Sequence, residues 1–247
     1  MKTDFRDRLA VVTGASSGIG LAVTTQLLEQ GARVLAMSRQ LGGLSQLTER
    51  YGEQLIWVAG DVTEAADLAR LGQRAASLGP VDFVVPNAGI AQLADGLDTS
   101  AFNRQWAVNG AGALNTLASL RDHLGQTASV VFIGTFLAQL SFPGLAAYIA
   151  SKAALIAHVR TLAVELAPHG IRVNTVSPGP TATPIWGTLG LKSEELGEVA
   201  NVVNQRLLGG EFLQPEAVAE VILFQLGRGA RSVFGQDWVV DSGYSVR

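Results

Sequence analysis

The chain has 247 residues, 48% of them hydrophobic and 16% charged, with no cysteine, which excludes disulfides, thiolate metal sites and cysteine nucleophiles. Eighteen basic against 21 acidic residues, a net charge of −3, leave no electrostatic footprint for nucleic acid. No run approaches the ~20 apolar residues of a membrane span, and the opening MKTDFRDRLAVVTG holds no apolar leader, so a soluble cytoplasmic protein is expected.

In chain order, LAVVT (9–13) reads as a first strand, and VVTGASSGIGLAV then sets Gly14, Gly18 and Gly20 at the turn into a helix. Glycines let a backbone turn tightly and approach a ligand, and a helix N-terminus there favours a pyrophosphate. The spacing is GxxxGxG; its position after the first strand, not the bare pattern, makes it a dinucleotide signal. GLAVTTQLLEQG (20–31) has helical spacing and a terminal glycine, and RVLAMS (33–38) is the second strand. Sites for NAD usually place a carboxylate at that strand's end. Here stand Ser38 and Arg39, which suit a 2′-phosphate and favour NADP(H) over NAD(H). The alternative is a solvated arginine.

LIWVAG (55–60), VDFVVP (81–86), SVVFIG (129–134), IRVNTV (171–176) and SVFGQDWVV (232–240) continue the strands. Nearly continuous apolar runs alternating with helices predict an α/β, doubly wound fold with a parallel sheet flanked by helices. The chain reads as one domain, 1–247, with one long irregular stretch over 177–197 and a substrate loop over 183–212. In AAYIASKAAL (146–155), Tyr148 and Lys152 share a helix face with no acid beside them. An ammonium there would lower the phenol's pKa and make Tyr148 an acid/base for a carbonyl oxygen. A bare Tyr-x-x-x-Lys is more often a rim tyrosine beside a snorkelling lysine. His123, His158 and His169 have no metal-ligand spacing, and His123 and His169 fall near helix C-termini.

Together, TGASSGIG (13–20), GDV (60–62), NAG (87–89), NGAG (109–112), YIASK (148–152) and SPGPTAT (177–183) resemble the short-chain dehydrogenase/reductase family over the whole chain. The resemblance implies a seven-stranded Rossmann fold, a nicotinamide dinucleotide and a homotetramer or homodimer. Gly14, Ser16, Ser17, Gly18, Ile19 and Gly20 would hold the cofactor. Asp61 and Val62 would meet the adenine, and Asn87, Ala88 and Gly89 would lie near its ribose. Pro178, Gly179, Thr181 and Thr183 would surround the nicotinamide. Asn109 would interrupt its helix and hold a water linked to Lys152, which would also bind the nicotinamide ribose.

Two positions depart from the family. Thr135 stands at the active-site serine, thirteen residues before Tyr148, keeping the hydroxyl, with Gly134 beside it giving its methyl room. Pro86 replaces an asparagine and removes one strand-end donor. Phe136, Leu137, Phe142, Trp186 and Leu189 suggest an apolar wall for a bulky ketone, although any one of them alone is better read as packing. DWVVDSGYSVR resembles the family's last strand, an end that packs at a subunit interface in relatives, where a buried Trp238 would fit. The reading is an NADP(H)-dependent carbonyl reductase acting on a small-molecule ketone or alcohol; a non-redox dinucleotide binder, or dehydration or epimerisation through a transient ketone, are the alternatives.

Overall fold

The computed structural model describes residues 5–247; Met1–Asp4, the start of the stretch read above as lacking a leader, lie outside it. Seven strands form: β1 Leu9–Thr13, β2 Arg33–Ser38, β3 Leu55–Ala59, β4 Val81–Pro86, β5 Leu124–Ile133, β6 Arg172–Pro178 and β7 Asp237–Val240. All pair in parallel in the order β3-β2-β1-β4-β5-β6-β7. The helices are α1 Gly18–Glu29, α2 Leu44–Tyr51, α3 Ala65–Ala76, α4 Thr99–Trp106, α5 Ala113–Leu120, α6 Ala146–Leu166, α7 Ser193–Arg206 and α8 Pro215–Leu226.

Every residue of β1 is buried, as its unbroken apolar run requires of a strand covered on both faces. Alternation divides the strands between two cores. Val12, Val34, Val85 and Ile133 pack on one side of the sheet, and Val11, Leu35, Val84 and Phe132 on the other. The order reverses between β1 and β4, and the crevice beyond the strands' carboxyl ends is where such sheets bind ligands.

Three expected spans shift. β5 starts at Leu124, five residues early, because Leu124 pairs with Val81 across a register irregularity before Ser129 meets Phe83. In SVFGQDWVV only Asp237–Val240 is extended, since Gly235 turns at φ 63°. The 177–197 stretch is not irregular throughout: Pro184–Thr188 is a 3-10 turn, and α7 begins at Ser193. Trp238, expected buried, is half-buried and stacks on Phe224 with centroids 5.5 Å apart. Pro86 ends β4 opposite Thr13, where a missing donor disturbs no further pairing with β5.

Candidate active site

At the switch point the ends of β1 and β4 are tied together. Thr13 Oγ1 accepts from the Asn87 and Ala88 N–H groups at 3.2 and 3.3 Å, and Asn87 Nδ2 donates to the Thr13 and Gly14 carbonyls at 3.1 and 3.2 Å. This seats the glycine turn on the Asn87–Gly89 segment. A Cβ on Gly14, at φ 63°, would lie 2.8 Å from Ala88 Cα, and one on Gly20 would strike the Gly14 carbonyl oxygen. Gly20 is therefore a packing glycine behind the turn, outside the cavity wall. Asn87 lines the cavity, but its amide nitrogen is spent on the turn. The start of α1 stays open: Ser17 makes no side-chain cap and no acid occupies the first turn. Those N–H groups suit an anion.

A cavity of about 960 Å³ opens from this turn. Along it lie Ser16, Ser17, Gly18 and Ile19, then Ser38, Arg39, Asp61 and Val62, then Ala88 and Gly89. Ser38 donates to the Gln40 carbonyl at 2.7 Å and accepts from Trp57 Nε1 at 3.0 Å. Its single proton is thus unavailable to a phosphate, contrary to the expectation from sequence; exposed Arg39 is the group at hand. Trp57 had no sequence signal, because the bond depends on β2–β3 register. Asp61 accepts from the Thr63 N–H and hydroxyl at 2.9 and 2.8 Å, and its own N–H donates to Asp67 Oδ2. That N–H, then the Arg70 hydrogen bond, hold the Asp67 carboxyl below its usual range.

Asn109 sits where the helix between α4 and α5 widens into a π-turn, Ala107–Gly112, so the expected interruption is present. Its fully buried amide accepts from Ile90 N–H at 2.9 Å and donates to the Ile90 carbonyl at 3.0 Å and Ser151 Oγ at 3.1 Å. It lies behind Gly89 and off the cavity wall. Both side-chain protons are used, so a water could reach only its oxygens.

Thr135 caps the short turn Phe136–Gln139, its hydroxyl oxygen accepting from Leu137 N–H at 3.3 Å. A Cβ on Gly134 would collide with Ser177 Oγ and lie 2.9 Å from Thr175 Cγ2. Gly134 thus serves close packing on β6 rather than making room for the Thr135 methyl. Lys152, 4% exposed, donates to the Ile133 carbonyl at 2.8 Å. Burial lowers it to about 8. Tyr148 keeps surface on the cavity but is hemmed in by protein, and burial pushes its phenol up, with a hydrogen bond from the Thr135 hydroxyl working against the rise. The expected lowering by Lys152 is not what the protein alone produces; desolvation is the larger effect.

Pro178, Gly179, Thr181 and Thr183 complete this end. Thr181 Oγ1 donates to the Gly179 carbonyl at 2.9 Å, and Thr183 packs across from Gly18. The five apolar residues singled out from sequence all line the cavity, joined by Leu145, Ile185, Val203 and Tyr244. Among the described residues no group of three or more metal-ligating side chains occurs, and no helix is long and apolar enough to cross a membrane.

A family model described as enoyl-(acyl carrier protein) reductase matches residues 14–245. Carbonyl reductase [NADPH] 2 of Sus scrofa is 33% identical over 99% of both chains. Cis-4-hydroxycyclohexanecarboxylate dehydrogenase of Sinomonas cyclohexanicum is 35% identical over 98% of both. A short-chain dehydrogenase/reductase structure from Brucella melitensis superposes with a TM-score of 0.89 over 99% of each chain, at 29% identity. Fold and site define an oxidoreductase class that works with nicotinamide dinucleotides on alcohols and ketones. The chain belongs to the short-chain dehydrogenase/reductase family.

Proposed function

We propose that the protein is an NADP(H)-dependent carbonyl reductase interconverting a bulky, largely apolar ketone and its secondary alcohol. The observation that carries this reading is that Thr135, Tyr148 and Lys152 share one cavity with both the open start of α1 and an apolar chamber. The uncapped start of α1, opening on the cavity beside Gly14 and Gly18, fits a dinucleotide pyrophosphate. When bound, the nicotinamide supplies hydride to the carbonyl carbon. Thr135 donates a hydrogen bond to the carbonyl oxygen, and Tyr148 gives that oxygen its proton. A phenol held neutral by burial suits a donor in this direction. Lys152 stabilises the phenolate left behind, and Asn109 positions Ser151 and the Ile90 backbone beside it.

Removing the Thr135 hydroxyl removes a donor aimed at the developing charge. Thr135→Ala is expected to lower kcat by about 10²-fold, whereas Thr135→Ser stays within a few fold. Steady-state NADPH oxidation with a hydrophobic ketone checks this, and a harmless alanine refutes the role. The NADP(H) preference rests on Arg39 and on the NADPH in the pig relative's name. Arg39→Asp should swap a charge-assisted hydrogen bond for repulsion and shift the NADPH/NADH ratio of kcat/KM by about 10–100-fold toward NADH. A wild-type enzyme that prefers NADH overturns the preference. Self-association as a dimer or tetramer is supported by exposed Val164, Phe234 and Val239 near the free edge of β7.

A further inference from the structure

The chamber beyond Tyr148 is apolar, and almost all of its polar side chains are already engaged. Thr188 Oγ1 has the Ile185 and Ala91 carbonyls at 2.7 and 2.8 Å for its one proton and accepts from the Ala91 N–H. Trp186 Nε1 donates to the Thr181 carbonyl at 2.7 Å. Tyr244 is different. It lines the same cavity and is only 8% exposed, yet its hydroxyl meets no donor or acceptor among the described residues. That hydroxyl is not sealed in; unlike the Tyr51 hydroxyl, it retains accessible surface.

The ring carrying it is held on three sides. Phe136, the neighbour of Thr135, meets it edge-on with centroids 5.1 Å apart at 81°. The Arg206 guanidinium, at the end of α7, lies 4.6 Å from its centroid, and Arg206 Nε donates to the Tyr244 carbonyl at 3.1 Å. The turn beneath is fixed by Asp241, whose carboxylate accepts from the Gly243 and Ser245 N–H groups at 3.0 and 2.8 Å. A phenol so fixed loses little entropy when it binds, and with no protein partner for its hydroxyl it has a proton to offer a ligand.

We propose that Tyr244 is a specificity-determining residue: its hydroxyl donates to a second oxygen of the substrate, remote from the carbonyl that reacts. Resting on the reductase reading above, this narrows the substrate to an apolar ketone with one further uncharged acceptor, an ether or hydroxyl oxygen. Among the described residues, Lys152 and Arg39 are the cations that line the cavity, and neither belongs to the apolar chamber around Tyr244.

An oxygen scan tests it. 2-Nonanone and its analogues with an ether oxygen replacing one methylene at successive positions from C4 outward, which leaves the ketone intact, are compared by kcat/KM in the wild type and in Tyr244→Phe. The variant keeps the ring, and so the Phe136 and Arg206 contacts, and loses only the oxygen. In the wild type, one stretch of the scan should stand about five- to tenfold above the remaining ethers, and in Tyr244→Phe that rise should vanish. Good turnover with a flat wild-type profile, or a rise that Tyr244→Phe retains, overturns the assignment alone. Failure of every ketone to oxidise NADPH overturns the reductase reading, and this assignment with it.

Discussion

Tyr148→Phe should reduce ketone turnover by about 10³-fold while leaving the affinity for NADPH within a few fold. The phenylalanine keeps the ring and its packing and removes the hydroxyl to which the proposed mechanism assigns the proton transfer. Thr135 can hold that oxygen but has to keep its own proton. Lys152 is turned to the Ile133 carbonyl, and the chamber walls are largely apolar. Water would then have to supply the proton. Steady-state kcat and a fluorescence titration with NADPH separate the two effects. Loss of cofactor binding in parallel with turnover would make Tyr148 a wall residue instead. In the direction of alcohol oxidation the phenol has to ionise first, and since burial raises it, that rate should climb with pH.

Lys152→Met should lose about 10²-fold or more in kcat and yet gain stability. Lys152 has its ordinary value of 10.5 when unfolded and about 8 when buried. Below pH 8 both states are charged, and the folded state carries the whole cost of the buried ammonium. Between pH 8 and 10.5 the unfolded chain holds one more proton, so stability rises with pH through that window, by on the order of 3 kcal/mol in all. Methionine removes this cost but leaves the Ile133 carbonyl without its donor, which returns about 1–2 kcal/mol. At pH 7 the net gain is therefore about 1–2 kcal/mol, a rise of several degrees in Tm for a chain of this size. Thermal melts at pH 7 and 10 check it: the difference between variant and wild type should shrink at the higher pH. A variant less stable at both would contradict the cost assigned to this ammonium.

The strand skeleton was legible where the residues are uniformly apolar: β1, β2 and β4 occupy the spans read from LAVVT, RVLAMS and VDFVVP. β5 outran its prediction because polar, partly exposed GQT lies in the register irregularity between Leu124, paired with Val81, and Ser129, paired with Phe83, where hydrophobicity gives no signal. Of the site, the residues named by motif line one cavity, apart from Gly20 and Asn109, which lie behind its wall. What pattern could not supply was the fate of individual protons. Ser38 and Asn87 look available as letters, and only the contacts with Trp57, Gln40 and Gly14 show that they are engaged. Tyr244 carried no signal, since 96 residues separate it from Tyr148 and only the folding of β7 past Gly179 brings it to the chamber.

Deuterium tracing bears most directly on whether this cavity joins a dinucleotide to a ketone. The wild type is incubated with a hydrophobic ketone and, in turn, each of the two epimers of NADPH carrying one deuterium at nicotinamide C4, and the alcohol is analysed by mass spectrometry. One epimer should place a single deuterium on the carbinol carbon, with one NADPH consumed per alcohol formed. Alcohol without deuterium from either epimer, or product formed with no net loss of NADPH, would contradict direct reduction at this site.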